Sequence, residues 1–336
     1  MNASAKLTPA GLTNYLTIDV EDYFHVSAFE TISPPHSWAE REHRVEASTD
    51  RVLALLAERN VQATFFVLGY VGEHSPALVR RIAAAGHEVA SHGHGHRRVG
   101  SLSRTEFRDD IRRSKAGLED QVQSSVLGYR APSYSISHQT PWAFDELLEA
   151  GYRYDSSIFP IRHDYYGIAD WPRFAGPVVK AADGRWLPGL AAEGDVCLLE
   201  LPITTLRLGG RNLPIAGGGY FRLLPYEATR WGLRRINRVD GQPFVFYLHP
   251  WEFDPGQPRM RGASWKSRFR HYLNLGKTEG RFRRLLTDFR FGTLCDGLGL
   301  GRQGQSVKAL PLRPDISRAP VSGGALAATG YVEALE

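Results

Sequence analysis

The 336-residue chain is long enough to bury a large core, and its 42% hydrophobic and 23% charged residues are ordinary for a globular enzyme. A net charge of +5 is modest for this length, and two cysteines exclude a disulfide framework or a cysteine-rich zinc site. No apolar run approaches the roughly 18 residues of a membrane span, and residues 1–13 lack the apolar core of a signal peptide. We therefore expect a cytoplasmic protein.

Short apolar strands alternate with helical patterns from Tyr15 onward. In chain order the predicted elements are strand 16–20, helix 49–59, strand 63–68, helix 76–85, strand 88–91, helix 104–121, strand 126–129, helix 140–150, and strands 152–155, 196–202 and 244–249. Gly86 marks the end of the second helix. This alternation predicts an α/β fold with a parallel sheet, and we expect that sheet to form a barrel.

The domain organisation follows from where this rhythm changes. Residues 14–302 form the expected catalytic domain, within which 161–242 is rich in Pro, Gly and Trp and predicts a loop elaboration near the cleft. Residues 243–302 form its C-terminal part. Residues 303–336 turn to Ala, Gly, Pro and Ser, which predicts a flexible tail.

Positive residues cluster between Arg259 and Arg290. One interpretation is a site for an anionic partner, either phosphate-bearing or a membrane surface. The other is a solvated helix face, because Phe282, Leu285 and Leu286 recur at helical spacing and would leave the arginines outside.

Histidines and carboxylates follow two of the predicted strands. Ser91-His92-Gly93-His94-Gly95-His96 places His92 and His96 at the spacing of one helical turn, and Asp19-Val20-Glu21-Asp22 ends the first strand. A carboxylate with two histidines is a typical ligand set for a catalytic, open metal site. Loops at the carboxyl ends of strands are where α/β barrels build active sites, so the motifs agree with the fold.

Three further segments offer groups that a metal-dependent amide hydrolase needs. They are Arg130-Ala131-Pro132-Ser133-Tyr134, Tyr154-Asp155-Ser156-Ser157 and Phe246-Tyr247-Leu248-His249-Pro250-Trp251. In this order, across residues 14–255, the five segments resemble the polysaccharide deacetylase family of carbohydrate esterases, also called the NodB-homology family. A closer likeness is to its exopolysaccharide and exosortase-associated subgroup, which opens with Asp-Val-Glu-Asp-Tyr-Phe and closes with His-Pro-Trp-Glu.

The resemblance implies a distorted (β/α) barrel of the NodB-homology type that removes N-acetyl groups from an amino sugar with a divalent metal, usually zinc. It implies that His92 and His96 are metal ligands and that Asp19 is the general base. The family commonly has two adjacent aspartates, whereas Val20 follows Asp19 here, which leaves Glu21 and Asp22 as rival ligands. Side chains alternate along a strand, so Glu21 is favoured if the strand continues through it.

The resemblance also assigns roles to the later segments. Arg130 pairs with Asp19, and His249 protonates the departing amine while Asp155 orients it. Tyr134 lends a backbone N–H to the developing oxyanion. The expected substrate-binding residues are Pro132, Tyr134 and Trp251.

The leading hypothesis is an N-deacetylase acting on an N-acetylated amino-sugar polymer, a bacterial exopolysaccharide or its lipid-linked precursor. One alternative is an allantoinase-like or cyclic-imidase-type C–N hydrolase, and another is an inactive carbohydrate-binding protein. We expect no nucleic acid partner. The basic segment suggests peripheral contact with the anionic inner face of the cytoplasmic membrane.

Overall fold

Strands and helices alternate along the chain in a computed structural model that describes residues 12–163, 166–189 and 197–301. The predicted tail, 303–336, lies outside the described residues. The strands are β1 (Thr13–Val20), β2 (Thr64–Val67), β3 (Glu88–Ser91), β4 (Gly128–Tyr129), β5 (Tyr154–Asp155), β6 (Gly176–Lys180), β7 (Trp186–Pro188), β8 (Cys197–Glu200), β9 (Thr205–Leu208), β10 (Arg211–Pro214), β11 (Val245–Leu248) and β12 (Arg290–Gly292). The helices are α1 (Val45–Ala57), α2 (Gly69–His74), α3 (Pro76–Ala84), α4 (Arg104–Val122), α5 (Ala143–Glu149), α6 (Gly218–Leu223), α7 (Tyr226–Arg235), α8 (Trp265–Tyr272), α9 (Leu275–Asp288) and α10 (Leu294–Leu298).

A parallel sheet organises the described chain. Its strands run in the order β11-β1-β2-β3-β4-β5-β8, and each neighbouring pair is parallel. Within the described ranges no backbone ladder joins β8 to β11, and the N–H of Val245 donates instead to Oγ1 of Thr204 at 2.8 Å. The predicted barrel-type α/β fold is confirmed, and its closure is distorted at this seam.

The segment 161–242 contributes to the sheet as well as to its surroundings. β8 continues the parallel order, while β6 and β7 extend it with antiparallel pairing, and β9 and β10 form a separate hairpin. This segment therefore supplies part of the barrel wall together with α6 and α7.

The core lies between the sheet and its flanking helices. β2 is buried on both faces, as parallel strands covered by helices are. α1 buries Val52, Leu55 and Leu56 at helical spacing. Ser103 and Glu106 form a reciprocal capping box that begins α4.

The basic segment 259–290 forms two helices that expose different residues. α9 buries Phe282, Leu285 and Leu286, which confirms the amphipathic interpretation for this helix. α8 instead exposes Trp265 at 72% and Phe269 at 55%. None of the helices in the described ranges is both long and apolar enough to cross a bilayer.

Candidate metal and acid–base site

The loop that carries the histidines leaves β3 at the carboxyl edge of the sheet. It is not helical, because Gly93 and His96 adopt left-handed backbone angles with φ of 70° and 50°. Asp110 on α4 holds the loop by accepting the backbone N–H of His94 at 2.7 Å and of Gly95 at 3.0 Å. His92 and His96 therefore do not lie one turn apart on a helix, as their spacing predicts, but the loop still brings both histidines together.

Glu21, His92 and the partly buried His96 form a cluster whose candidate ligand atoms all lie within 4.8 Å of one another. Oε2 of Glu21 lies 2.6 Å from Nε2 of His96. Nδ1 of His92 donates to the carbonyl of Arg130 at 2.9 Å, which leaves Nε2 as the ring nitrogen able to bind a cation. Burial lowers the pKa of His92 to about 4, so the ring is in the neutral form that binds metals.

The charge of this cluster favours a bound cation. Burial alone would raise the pKa of Glu21, but the nearby rings of His96, His249 and His92 lower it well below its usual range. One carboxylate and two imidazoles suit a divalent transition metal such as zinc. The residues present therefore fit the metal that the sequence predicts.

Glu21 reaches this position through a turn. β1 ends at Val20, and the N–H of Glu21 donates to the carbonyl of Asp19 at 3.0 Å. The alternation argument that favoured Glu21 thus fails, since the strand has already ended, yet the turn places Glu21 among the histidines. The indole N–H of Trp251 donates to Oε1 of Glu21 at 3.2 Å and fixes the carboxylate.

Asp22, the rival ligand, points to the start of α1. Its Oδ2 accepts the backbone N–H groups of Arg44 at 2.7 Å and Val45 at 3.0 Å, and its Oδ1 accepts that of Tyr23 at 2.9 Å. The N–H groups of Arg44 and Val45 are unsatisfied donors at the N-terminus of α1, which a carboxylate stabilises. The prediction of Asp22 as a metal ligand is corrected: its carboxylate is used by the backbone.

Asp19 forms a fully buried ion pair with Arg130. Nη1 of Arg130 lies 2.6 Å from Oδ1 of Asp19 and also donates to Thr17 Oγ1 at 2.8 Å. The other side of the guanidinium donates to the carbonyl and hydroxyl of Ser156 at 3.1 and 2.9 Å. With Oδ1 held in this way, Oδ2 is the oxygen left to face the site.

His249 follows β11 and directs one ring nitrogen at the cluster. Its Nε2 lies 3.9 Å from Asp19 Oδ2 and 3.6 Å from Glu21 Oε1. Its Nδ1 lies 2.9 Å from Oε1 of the buried Glu252, whose Oε2 accepts from Arg222 Nε at 2.6 Å. Burial works against protonation, but the hydrogen bond to Glu252 and the charge of Glu21 raise the pKa of His249 to about 9.

The prediction that Asp155 orients His249 is wrong. Asp155 accepts from Ser157 Oγ at 2.5 Å and hydrogen-bonds to the buried carboxyl group of Glu200. Burial raises the pKa of both carboxyl groups, and the nearby charge of Asp155 raises that of Glu200 as well, so the pair retains a proton. This pair lies beneath Arg130 and Ser156, whereas Glu252 performs the role expected of Asp155.

Pro132 and Tyr134 lie in a strained turn beside Asp19. Ser133 and Tyr134 both have positive φ, 56° and 54°, and Pro132 is buried at the start of the turn. The backbone N–H of Tyr134 donates to the carbonyl of Ala131 at 3.0 Å, so the expected oxyanion donor is already used. The phenol hydroxyl instead lies 3.4 Å from Asp19 Oδ2.

Trp251 does not present a free face for sugar stacking. Its ring is 6% exposed and stacks on His249 at 5.0 Å and on His271 at 4.2 Å between centroids. Its indole N–H is bonded to Glu21. The predicted substrate contact is therefore corrected to a positioning role for His249 and Glu21.

Sequence reasoning missed Glu252, Arg222 and Glu200. Glu252 carried a usable signal, since it lies three residues after His249 in His-Pro-Trp-Glu, a spacing at which a carboxylate can return to a turn N-terminus. Arg222 and Glu200 carried none, because only the fold brings them near the site.

Comparison with family models divides the chain into two matched parts. Residues 35–154 match the polysaccharide deacetylase model, and residues 156–298 match a domain of unknown function, DUF3473. The chain is 31% identical to a peptidoglycan-N-acetylglucosamine deacetylase of Bacillus cereus over 45% of this chain and 65% of that protein. It is 36% identical to a chitooligosaccharide deacetylase of Sinorhizobium fredii over 30% of this chain and 44% of that protein. The chain thus spans about half the length of these relatives.

Solved structures share the fold. A Mycobacterium smegmatis protein assigned to the polysaccharide deacetylases matches with a TM-score of 0.52 and 21% identity, over 86% of this chain and 90% of that one. An allantoinase matches with a TM-score of 0.51 and 13% identity, over 84% and 87%. At these identities the likeness establishes the barrel architecture alone.

Proposed function

We propose that this chain, whose residues 35–154 match the polysaccharide deacetylase model, is a metal-dependent hydrolase that removes N-acetyl groups from an amino-sugar unit of a glycan. The observation that carries the proposal is the cluster of Glu21, His92 and His96, next to which lie Asp19 Oδ2 and His249 Nε2. The candidate metal ligands, base and acid thus lie close together, which supports the proposal.

The cluster of Glu21, His92 and His96 would hold the ion. A bound divalent metal supplies Lewis-acid polarisation of a carbonyl oxygen and acidifies water, which are the two needs of an unactivated amide. We propose zinc, since one carboxylate and two imidazoles are frequent zinc ligands.

Asp19 and His249 divide the proton transfers. Arg130 holds Oδ1 of Asp19, so Oδ2 accepts the proton of the attacking water. Glu252 keeps Nδ1 of His249 hydrogen-bonded, so Nε2 carries the proton that goes to the departing amine. The raised pKa of His249 keeps the ring protonated at neutral pH, and the largest raising contribution comes from Glu252, which lies outside the ligand cluster.

For the substrate we propose an N-acetylhexosamine unit of a bacterial exopolysaccharide or of its lipid-linked precursor. The support is the opening Asp-Val-Glu-Asp-Tyr-Phe and the closing His-Pro-Trp-Glu, together with relatives named for peptidoglycan and chitooligosaccharide deacetylation. Location at the cytoplasmic face of the membrane stays a prediction, which cell fractionation checks.

The experiment measures bound metal by mass spectrometry and acetate release from N-acetylglucosamine oligomers. His92→Ala should lose both, because it removes a ligand. His94→Ala is the matched control: it lies in the same loop, but its ring contacts Glu73 at 3.0 Å instead of the cluster. It should keep both metal and activity.

The other outcomes separate the alternatives. Metal binding without acetate release, but with hydrolysis of allantoin or a cyclic imide, would replace the deacetylase by a different C–N hydrolase. Absence of metal after incubation with zinc would favour a carbohydrate-binding protein. Equal loss of metal in both histidine variants would contradict the ligand assignment.

A further inference from the structure

The helix α8 turns its aromatic residues toward solvent, whereas an ordinary surface helix turns its apolar residues toward the core. Trp265 and Phe269, four residues apart, point outward and are 72% and 55% exposed. His271 is buried and Ser267 is half-buried, so this pair forms the face that packs on the protein. At about 100° per residue, the aromatic pair lies opposite the packed pair. The aromatic ridge therefore covers no part of the core.

Cations flank this ridge on both sides. On the same helical projection Arg268 lies on one side of the aromatic pair, and Lys266 and Arg270 lie on the other. All three are exposed, and none has an acidic partner within salt-bridge distance among the residues that the structure describes. Residues 255–278 contain six Lys and Arg and no Asp or Glu.

The neighbouring helix α9 shows the contrast. Its arginines are used within the protein: Arg281 donates to the carbonyls of Phe221 and Arg222, and Arg283 pairs with Glu279 and Glu58. The arginines of α9 are therefore bonded within the fold, whereas the Lys and Arg side chains of α8 face outward.

We propose that α8 docks this protein onto an anionic phospholipid bilayer. Aromatic side chains favour the region between headgroups and acyl chains, and flanking Lys and Arg bind the anionic headgroups. An apolar ridge bordered only by cations is complementary to such a surface in both polarity and charge. The docking is independent of the proposed hydrolysis, since neither aromatic residue contacts the candidate site.

Docking at α8 would hold the candidate site close to the bilayer. His271 on the packed face of α8 stacks on Trp251, whose indole N–H holds Glu21. Arg222 donates to the carbonyls of His271 and Leu273 at the end of α8, and pairs with Glu252. One layer of side chains thus separates the docking helix from the cluster, a short distance for a glycan linked to a lipid.

The test measures co-sedimentation of the full chain with vesicles of phosphatidylcholine and with vesicles of phosphatidylcholine and phosphatidylglycerol in equal parts. We expect binding to the anionic vesicles. Lys266→Gln/Arg268→Gln/Arg270→Gln should weaken it on the order of a hundredfold, from about fivefold per cation. Trp265→Ser/Phe269→Ser should weaken it roughly tenfold or more. Trp231→Ser is the matched control, a 54% exposed tryptophan on α7, and should bind normally.

A second measurement remains valid if a multiple variant folds poorly. Lipids with brominated acyl chains should quench the fluorescence of the wild-type protein, and Trp265→Phe should bind equally but lose most of that quenching. Equal binding to neutral and anionic vesicles would overturn the assignment. So would a loss of vesicle binding by Trp231→Ser as large as that of Trp265→Ser/Phe269→Ser. Binding to an acidic polysaccharide such as alginate but to neither vesicle would replace the bilayer by a glycan partner. Acetate release from soluble oligomers, measured in parallel, reports the proposed function separately.

Discussion

The two halves of the chain contribute to the site in different ways. Up to residue 154, the candidate functional groups lie within a few residues of a strand end: Asp19 on β1, His92 after β3 and Arg130 after β4. In the second half, His249 also follows a strand, but its orientation depends on Glu252 and Arg222, which come from a turn and from α6. The first half positions its groups through the sheet, and the second through a chain of side chains.

This difference separates two kinds of dependence. A side chain whose position is set by the sheet keeps that position when a neighbouring side chain is substituted. Replacing such a side chain therefore removes its chemical role and leaves the rest of the site in place. A group fixed by side chains loses its orientation when any member of the network is altered. We therefore expect the largest effects from the reacting groups of the first half, and graded effects from the supporting groups of the second.

Asp19→Asn tests the first half most severely. The amide cannot accept a proton, so acetate release should fall by about 10²- to 10⁴-fold while the metal stays bound, because Asp19 is outside the cluster of ligands. Initial rates and metal content measured on the same sample check this. Activity within a few fold of wild type would show that another group is the base. It would also contradict the expectation that the largest effects come from the first half.

Glu252→Gln tests the supporting network. His249 would lose its carboxylate partner, so kcat should fall by about 10- to 100-fold with KM little changed, a smaller loss than for Asp19. The buried Arg222 would also lose its partner, which costs about 3–5 kcal/mol of stability.

Glu146→Gln is the matched control for that loss of stability. The side chain of Glu146 is equally buried and accepts from Arg108 at 2.5 Å, but it lies on α5 and its partner on α4, away from the site. It should melt at a lower temperature and keep its kcat. If both variants lose activity in proportion to their melting temperatures, Glu252 has no orienting role.

The sequence anticipated the fold and the first half of the site better than the second. β3 was predicted with its observed bounds and α4 within one residue, because buried strands and capped amphipathic helices carry local patterns. The segments that contain Glu21, His92 and Arg130 are recognisable in the sequence because each lies at the end of such a strand. The sequence assigns the orientation of His249 to Asp155 instead of Glu252. The pairing of a histidine with a carboxylate depends on tertiary contacts, which no local sequence period encodes.

Backbone details also escaped sequence reasoning. The turn after Val20, the left-handed angles at Gly93 and His96, and the use of the Tyr134 N–H by Ala131 are set by loops, where residue type restricts the conformation only weakly. These details decided which of Glu21 and Asp22 faces the histidines. Motif spacing identified the right segments, and loop geometry selected the residues within them.

Asp22→Ala sharpens the assignment within the opening motif. Its carboxylate accepts two N–H groups at the start of α1, so its loss should cost about 1–2 kcal/mol, comparable to a strong helix cap. The variant should still bind metal, whereas Glu21→Ala should not. Urea unfolding and metal content distinguish the two. Loss of metal from Asp22→Ala in the folded protein would return Asp22 to the ligand set.

The junction between the halves makes the smallest and most specific prediction, because Asp155 directly follows the first half and its partner Glu200 belongs to the second. Burial raises the pKa of Asp155 to about 6 and also raises that of Glu200 well above its usual value, so the native pair binds protons that the unfolded chain releases above about pH 4. The unfolded state then binds fewer protons than the native state, so stability falls as pH rises through this window, by up to about 1.4 kcal/mol per pH unit and proton.

Glu200→Gln removes one titrating group, and the unfolding free energy of this variant should fall less steeply between about pH 4 and about pH 7. Acetate release should be unchanged, because the pair does not contact His249. Parallel stability curves for the two proteins would show that the two carboxyl groups share no proton, and a large loss of acetate release would restore Asp155 and Glu200 to the catalytic network.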